Sequence, residues 1–131
     1  MKTAALKAAC LALNGAEETF PFGPETSVFK VGGKIFALSA LDARPLKVSL
    51  KCDPEVAVRL RGTYPAITAG WHLNKRHWNT VVLDGTVPDA LLREMIEDSY
   101  DLILTQLPRR TQLALDWPGV RAPGEGRPTD R

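Results

Sequence analysis

Ser27-Val28-Phe29-Lys30-Val31-Gly32-Gly33-Lys34-Ile35-Phe36-Ala37-Leu38-Ser39-Ala40-Leu41 reads as two β-strands folded back on a glycine pair. β-Branched and aromatic residues fill both halves. A two-residue turn between antiparallel strands needs positive φ at its centre, which Gly32-Gly33 supplies without a steric penalty. Such a turn sets Phe29 opposite Phe36, with Val31 and Leu38 on the same side and Lys30, Ala37 and Ser39 on the other. A third strand follows in Leu46-Lys47-Val48-Ser49-Leu50-Lys51, which alternates apolar and polar and points Lys47, Ser49 and Lys51 outward. One apolar face and one face rich in Lys, Ser and Ala predict an antiparallel sheet covered on one side only.

Helices flank this ribbon. Leu6, Ala9, Cys10 and Leu13 recur at i, i+3, i+4 and i+7, predicting an amphipathic helix from Thr3 to Leu13 that stops at Asn14-Gly15. That stripe, and Lys7 interrupting the apolar run, separate the segment from the signal peptide it superficially resembles. Phe20-Pro21-Phe22-Gly23-Pro24 is an extended turn with two aromatic anchors. Asp53-Pro54-Glu55 carries a cap, an early Pro and an early acid, and opens a helix that runs to Arg61 and stops at Gly62. Tyr64 to Gly70 is expected to be loop. Trp71 to Leu73 and Trp78 to Leu83 read as two more strands, joined through Asn74-Lys75-Arg76 and ended by Asp84-Gly85. Pro88 to Leu107 forms the strongest helix, with a stripe of Leu91, Leu92, Met95, Ile96, Ser99, Leu102, Ile103 and Gln106. Pro108 terminates it. The order α-β-β-β-α-β-β-α predicts an α+β two-layer sandwich, an antiparallel sheet with helices packed on one face.

At 131 residues the chain is one domain, and 44% apolar and 24% charged residues suffice for a core without staples. The domain is expected over residues 1–110. Residues 111–131 are expected to form a mobile tail, since from Pro118 the composition turns to Pro, Gly and charge. The formal charge of +2 is unevenly spread. Between Val28 and Val82 nine cations face three anions, about six net positive charges, which leaves the flanks about four net negative. Cys10 and Cys52 lack Cys-x-x-Cys spacing and read as core fillers in a reducing compartment. No stretch approaches the roughly 18 apolar residues of a membrane span. A cytoplasmic monomer without cofactor is the expectation.

The chemistry-bearing segment is Trp71-His72-Leu73-Asn74-Lys75-Arg76-His77-Trp78-Asn79-Thr80. Indole, imidazole, amide and guanidinium groups in ten residues suit a surface that stacks on rings and grips phosphate oxygens. Lys75 and Arg76 sit at the expected hairpin tip, flanked by His72 and His77. Asn74 and Asn79 have amides that can read a base edge or simply close the turn. Trp71 is the better exposed candidate for stacking, while Trp78, alternating with Thr80 and Val82, suits an inward-facing set. Lys30, Lys47 and Lys51 extend the candidate footprint across the open sheet face. The His72 and His77 spacing fits no standard zinc pattern, so no metal is expected. Neither a Gly-x-Ser-x-Gly nucleophile turn nor a phosphate-cradling glycine loop is present.

Phe20-Pro21-Phe22-Gly23-Pro24-Glu25, Val28 to Ala37, Leu50-Lys51-Cys52-Asp53-Pro54, the ten-residue segment above, Asp84-Gly85, Pro88 and Ser99-Tyr100-Asp101-Leu102 together resemble the MmcQ/YjbR family over roughly Leu6 to Arg110. The resemblance implies a CyaY-like (frataxin-like) two-layer fold and a DNA-binding role of the double-wing type. Frataxins carry an acidic ridge on the first helix for iron. Here no acid precedes Glu17-Glu18, so iron delivery is not carried over.

The leading expectation is a non-enzymatic DNA-binding module. Four phosphate contacts from Lys75, Arg76, Lys30, Lys47 and Lys51 predict log K falling with log salt at a slope of about −3.6. The alternative is a protein- or small-molecule-binding adaptor that uses the same sheet face. An enzyme with His77 as a base near Asp84 ranks third.

Overall fold

The computed structural model describes residues 1–70 and 73–117. Its elements are α1 (Thr3–Leu11), β1 (Glu17–Thr19), β2 (Ser27–Val31), β3 (Lys34–Ser39), β4 (Lys47–Lys51), α2 (Pro54–Thr63), β5 (Ile67–Ala69), β6 (Trp78–Val82), α3 (Asp89–Leu104) and α4 (Arg109–Ala114). The strands form one antiparallel sheet in the order β1-β2-β3-β4-β6-β5, with helices against one face. This is the expected α+β two-layer sandwich, with one more strand than expected. The additional strand is β1, a three-residue edge whose Glu17 and Glu18 give no apolar alternation to read.

The β2–β3 turn holds Gly32 at φ 57° and Gly33 at φ 81°, the positive pair that the tight turn requires. Beyond the turn the register departs from expectation. Val31 pairs with Lys34 and Lys30 with Ile35, but Phe29 then pairs with Ala37 rather than Phe36. Phe36 is the extra residue of a β-bulge. The bulge brings both Phe36 and Ala37 into the core, where each is fully buried, and Phe36 meets the edge of Tyr100 at 5.6 Å and 89°. Ring pairs of this geometry are worth roughly 0.5–1.5 kcal/mol beyond their buried area. Ala37 and Ser39, expected on the open side, are both buried, and Leu38 emerges opposite Ser49 instead.

The long helix α3 lays Leu92, Met95, Ile96, Tyr100, Ile103 and Leu104 on the apolar face made by Phe29, Val31, Phe36, Val48 and Leu50. Its buried serine, Ser99, is fully satisfied. The Ser99 Oγ donates to Phe36 O at 2.6 Å and accepts from Lys51 N–H at 2.9 Å, stitching the helix to β3 and β4. At the head of α2, Asp53 Oδ1 accepts from Glu55 N–H at 3.0 Å and Val56 N–H at 3.4 Å, the cap that its sequence position predicts. α1 is two residues shorter than expected, and its buried pair is Leu6 and Cys10.

Two boundaries are corrected. A strand stands at Ile67–Ala69, where loop was expected, because Ile67 pairs with Val81 and enters the core beside it, and of the strand expected at Trp71–Leu73 only Leu73 is among the described residues. Trp71 and His72 lie outside the described residues. The domain also runs past residue 110. In α4, Gln112 Nε2 donates to Leu104 O at 2.6 Å and to Leu107 O at 3.2 Å. Trp117 is buried, with its indole N–H donating to Asp101 Oδ1 at 3.0 Å. Residues 111–117 therefore belong to the folded body, and the remainder of the expected tail lies outside the described residues.

Candidate functional site

The connection from β5 to β6 covers residues 70–77, and its described backbone is pinned at several points. Gly70 N–H donates to Trp78 O at 2.8 Å. A β-carbon at Gly70 would stand 2.7 Å from Trp78 Cβ, so only glycine permits this approach. Asn74 Oδ1 accepts from Arg76 N–H at 3.0 Å, and Asn74 O accepts from His77 N–H at 3.2 Å. Of the two roles open to it from sequence, Asn74 takes turn closure. From α2, Arg61 Nη1 reaches Lys75 O at 3.1 Å and Asn79 Oδ1 at 2.9 Å. The loop is thus tied to the helix layer while the Lys75 and Arg76 side chains are exposed, and among the described residues neither is ion-paired.

The other candidates divide. Asn79 is corrected: it is fully buried, accepts from Arg61 and donates from Nδ2 to Ala57 O at 3.4 Å, so its amide cannot meet a base. Trp78 is corrected in direction. Asn79 and Val81 form the inward set of β6, so Trp78, Thr80 and Val82 face the side without helices, and half-buried Trp78 pairs with Lys51. His77 is half-buried, and its carbonyl accepts from Cys52 N–H at 2.8 Å.

Lys30, Lys47 and Lys51 lie on strands β2 and β4 rather than on the loop that carries Lys75 and Arg76, and Lys51 pairs with Trp78 at the end of that loop. Val48 and Leu50 point into the core, so Lys47 and Lys51 face away from the helices, about 13 Å apart at ~3.3 Å per residue. Burial, and then the charge of Lys34, lower the Lys51 pKa. Lys30 is half-buried between its partners Glu17 and Ile35. Arg76 instead lines a shallow hollow of about 430 Å³ with Pro54, Glu55, Val58 and Arg61 of α2, and Val58 is 60% exposed there.

The face without helices is not a flat lysine surface. It holds a cleft of about 850 Å³ with Leu38, Val82, Leu73, Ala40 and Ala69 among its apolar walls and Phe22 at its lip. Ser49 and Thr80, opposite each other in the ladder, share a hydrogen bond of 2.8 Å on its floor. Lys47 also lines it. Phe20 and Phe22, expected as anchors of their turn, are instead 50% and 66% exposed.

Arg61 is the loop-positioning residue that sequence reasoning missed. It counted only as one more cation, although its place in the last turn of α2, ahead of a strand carrying an inward Asn, was the available signal. Asp84 and His77 are separated by the whole of β6, and Asp84 Oδ1 is engaged by Thr86 N–H at 3.0 Å and by the Thr86 hydroxyl at 2.6 Å. These bonds lower the Asp84 pKa, and the His77–Asp84 pairing considered for a general base is not assembled. Burial raises the thiol of Cys10 to about 12. Burial, then Asp53 and Asp98, raise Cys52 to about 11 against the opposing charge of Arg61. Both shifts favour the neutral thiol over the thiolate. Among the described residues, no group of three or more His, Cys, Asp or Glu side chains is placed to hold a metal ion, and no helix is long and apolar enough to cross a membrane.

Known proteins resemble this chain in sequence and fold. The Escherichia coli O157:H7 protein YbdF is 43% identical over 107 residues, covering 81% of this chain and 87% of YbdF. YjbR of Escherichia coli K12 is 36% identical over 107 residues, covering 81% of this chain and 90% of YjbR. A crystal structure of a Deinococcus radiodurans protein superposes with a TM-score of 0.84 at 40% identity over 96% of each chain. A Pseudomonas syringae protein superposes with a TM-score of 0.66 at 28% identity, covering 78% of this chain and 97% of that one. The YjbR family model matches residues 11–102. With the two-layer fold and most of the quoted motifs inside that match, the chain belongs to the YjbR family.

Proposed function

We propose that this protein binds duplex DNA through the loop at residues 73–77, gripping phosphates with Lys75 and Arg76. The observation that supports this reading is the combination of a fixed loop backbone with two exposed cations that are not ion-paired among the described residues. A pinned loop loses little conformational freedom on binding, and among the described residues its cations have no ion pair to be displaced. Arg61 and Arg59 on the adjacent α2 add positive potential, offset in part by Glu55 in the same hollow.

The footprint is smaller than the sequence suggested. Lys47 and Lys51 point away from the helix layer, whereas the loop cations gather beside α2. The proposed footprint comprises Lys75 and Arg76 alone, without Lys30, Lys47 and Lys51. Two phosphate contacts give a salt slope of about −1.8 rather than the −3.6 of four contacts. Affinity of this kind is electrostatic and tolerant of base sequence.

The test is a titration of a short duplex across a salt series, with Lys75→Glu/Arg76→Glu as the comparison. Salt-sensitive binding that the double reversal abolishes supports the reading. Equal binding by both proteins, or a slope near zero, overturns it.

A further inference from the structure

We infer that the cleft on the helix-free face binds a small amphipathic organic anion, its apolar body between Leu38, Val82 and Phe22 and its anionic group on the Lys47 ammonium. The cleft is a second site, bordered by Leu73 at the start of the loop that carries the DNA reading.

The lining defines the ligand class. Its volume of about 850 Å³ lies in the range of small-molecule sites, roughly 300–1,000 Å³. The walls are mostly aliphatic, so the body of the ligand is apolar. The polar floor is largely self-satisfied. Ser49 and Thr80 bond each other at 2.8 Å, and Ser39 Oγ donates to Lys47 O at 2.6 Å. Those hydroxyls therefore make few demands on a ligand and tolerate an apolar surface above them.

One charge remains. Lys47 is the only ionisable residue lining the cleft among the described residues, no carboxylate lines it, and Lys47 has no ion pair among them. A cation at the rim of an apolar hollow without a counter-ion selects against amines and for carboxylates, sulfonates or related anions. Phe22 is the second sign. An aromatic ring left 66% exposed beside an apolar hollow loses that exposure when a flat or aliphatic body slides beneath it. A macromolecular anion fits less well, because the charge is single and the walls are apolar. Repeating phosphates would need a row of cations, and Lys47 and Lys51 stand at opposite ends of β4.

Three rigid naphthalenes test this by chemical-shift mapping on the full chain: naphthalene-2-carboxylate, neutral 2-naphthylmethanol and cationic 2-naphthylmethylamine. The carboxylate is expected to bind best, with shifts centred on Leu38, Ser49, Thr80 and Val82. Lys47→Met is expected to weaken the carboxylate roughly ten-fold, as for loss of a charge-assisted hydrogen bond, and to leave the alcohol unchanged. Thr68→Trp, on an exposed site of the edge strand, is expected to block all three by filling the cleft. Preference for the amine, shifts centred on Val58 and Arg76, an unchanged carboxylate affinity in Lys47→Met, or no shifts at millimolar ligand would each overturn the inference. Lys47→Met leaves Lys75 and Arg76 in place, so DNA binding and anion binding succeed or fail separately.

Discussion

Replacing Arg61 with Met tests whether one guanidinium organises the loop. Arg61 holds two acceptors of different kinds: Lys75 O, in an exposed loop, at 3.1 Å, and Oδ1 of Asn79, which is fully buried, at 2.9 Å. Losing the first costs little, because water replaces it. Losing the second leaves a buried amide oxygen without a donor, a penalty of about 1–3 kcal/mol. A central value of about 2 kcal/mol in a chain of this length lowers Tm by roughly 6–12 °C. Equilibrium urea unfolding of Arg61→Met, Asn79→Val and the double variant measures the coupling. The double variant removes donor and acceptor together, so it should recover at least about 1 kcal/mol relative to the sum of the singles. Duplex affinity in Arg61→Met should also fall, since the loop is no longer held, while the salt slope stays near that of the parent because no phosphate contact is removed. Additivity of the two single costs within about 0.5 kcal/mol would refute the pairing as the source of the stability.

Gly70→Ala forces a β-carbon to 2.7 Å from Trp78 Cβ and should destabilise by about 1–3 kcal/mol, whereas Gly62→Ala, in α2 with open space around it, should stabilise by about 0.5–1 kcal/mol; thermal melts of the pair give opposite signs. Ser99→Ala strands Phe36 O and Lys51 N–H at once and should cost about 2–4 kcal/mol by urea unfolding, with amide exchange accelerated at Lys51. The folded thiols of Cys10 and Cys52 titrate near 12 and 11 against an ordinary value of 9.0. Their contribution to stability is therefore constant below about pH 9 and declines as the pH climbs from there towards 11–12, because the unfolded chain ionises first. Urea midpoints measured from pH 8 to 10.5 should fall, Cys10→Ala should flatten that limb, and alkylation of the folded protein at pH 8 should be slow compared with the urea-unfolded chain.

What could be read from the chain was whatever rests on local rules. The turn at Gly32-Gly33 and the cap at Asp53 follow from backbone sterics and stand where their residues imply. The helical period places Leu92, Met95, Ile96, Ser99 and Ile103 of α3 inward, while Tyr100 and Leu104 are buried in place of the expected Gln106 and the helix ends at Leu104 rather than Leu107. The errors arose where a tertiary partner decides. Phe36 bulges out of the ladder because Tyr100 and Ser99, more than sixty residues away, receive its ring and its carbonyl, and no local pattern announces that. β5 carries only Ile67-Thr68-Ala69, too short for alternation to show, and it is defined by pairing with β6. α4 has no strong stripe and is held by Gln112 and the Trp117 indole. Within the candidate site, the exposed cations at Lys75 and Arg76 were legible from composition. The assignment of Asn79 to the interior was not, because an amide is polar in any one-dimensional reading and only its Arg61 and Ala57 partners make burial affordable.

The register of β6 links the two proposed surfaces. With the observed pleat, Asn79 and Val81 face the helices, while Thr80 and Val82 line the cleft. A slip of one residue would exchange every side chain between faces. Asn79 would leave Arg61, the Thr80 hydroxyl would enter the apolar core away from Ser49, and Val81 would surface. Each change is unfavourable, so a buried polar contact specifies the alignment where apolar pattern alone, in a strand reading Trp-Asn-Thr-Val-Val, is ambiguous. The same contact places the loop, because Arg61 Nη1 serves both Asn79 Oδ1 and Lys75 O. Holding the register and presenting the loop cations are therefore one interaction seen from its two ends. A substitution that frees Asn79 should disturb both the cleft, through the neighbouring Thr80, and the cationic loop, through Arg61.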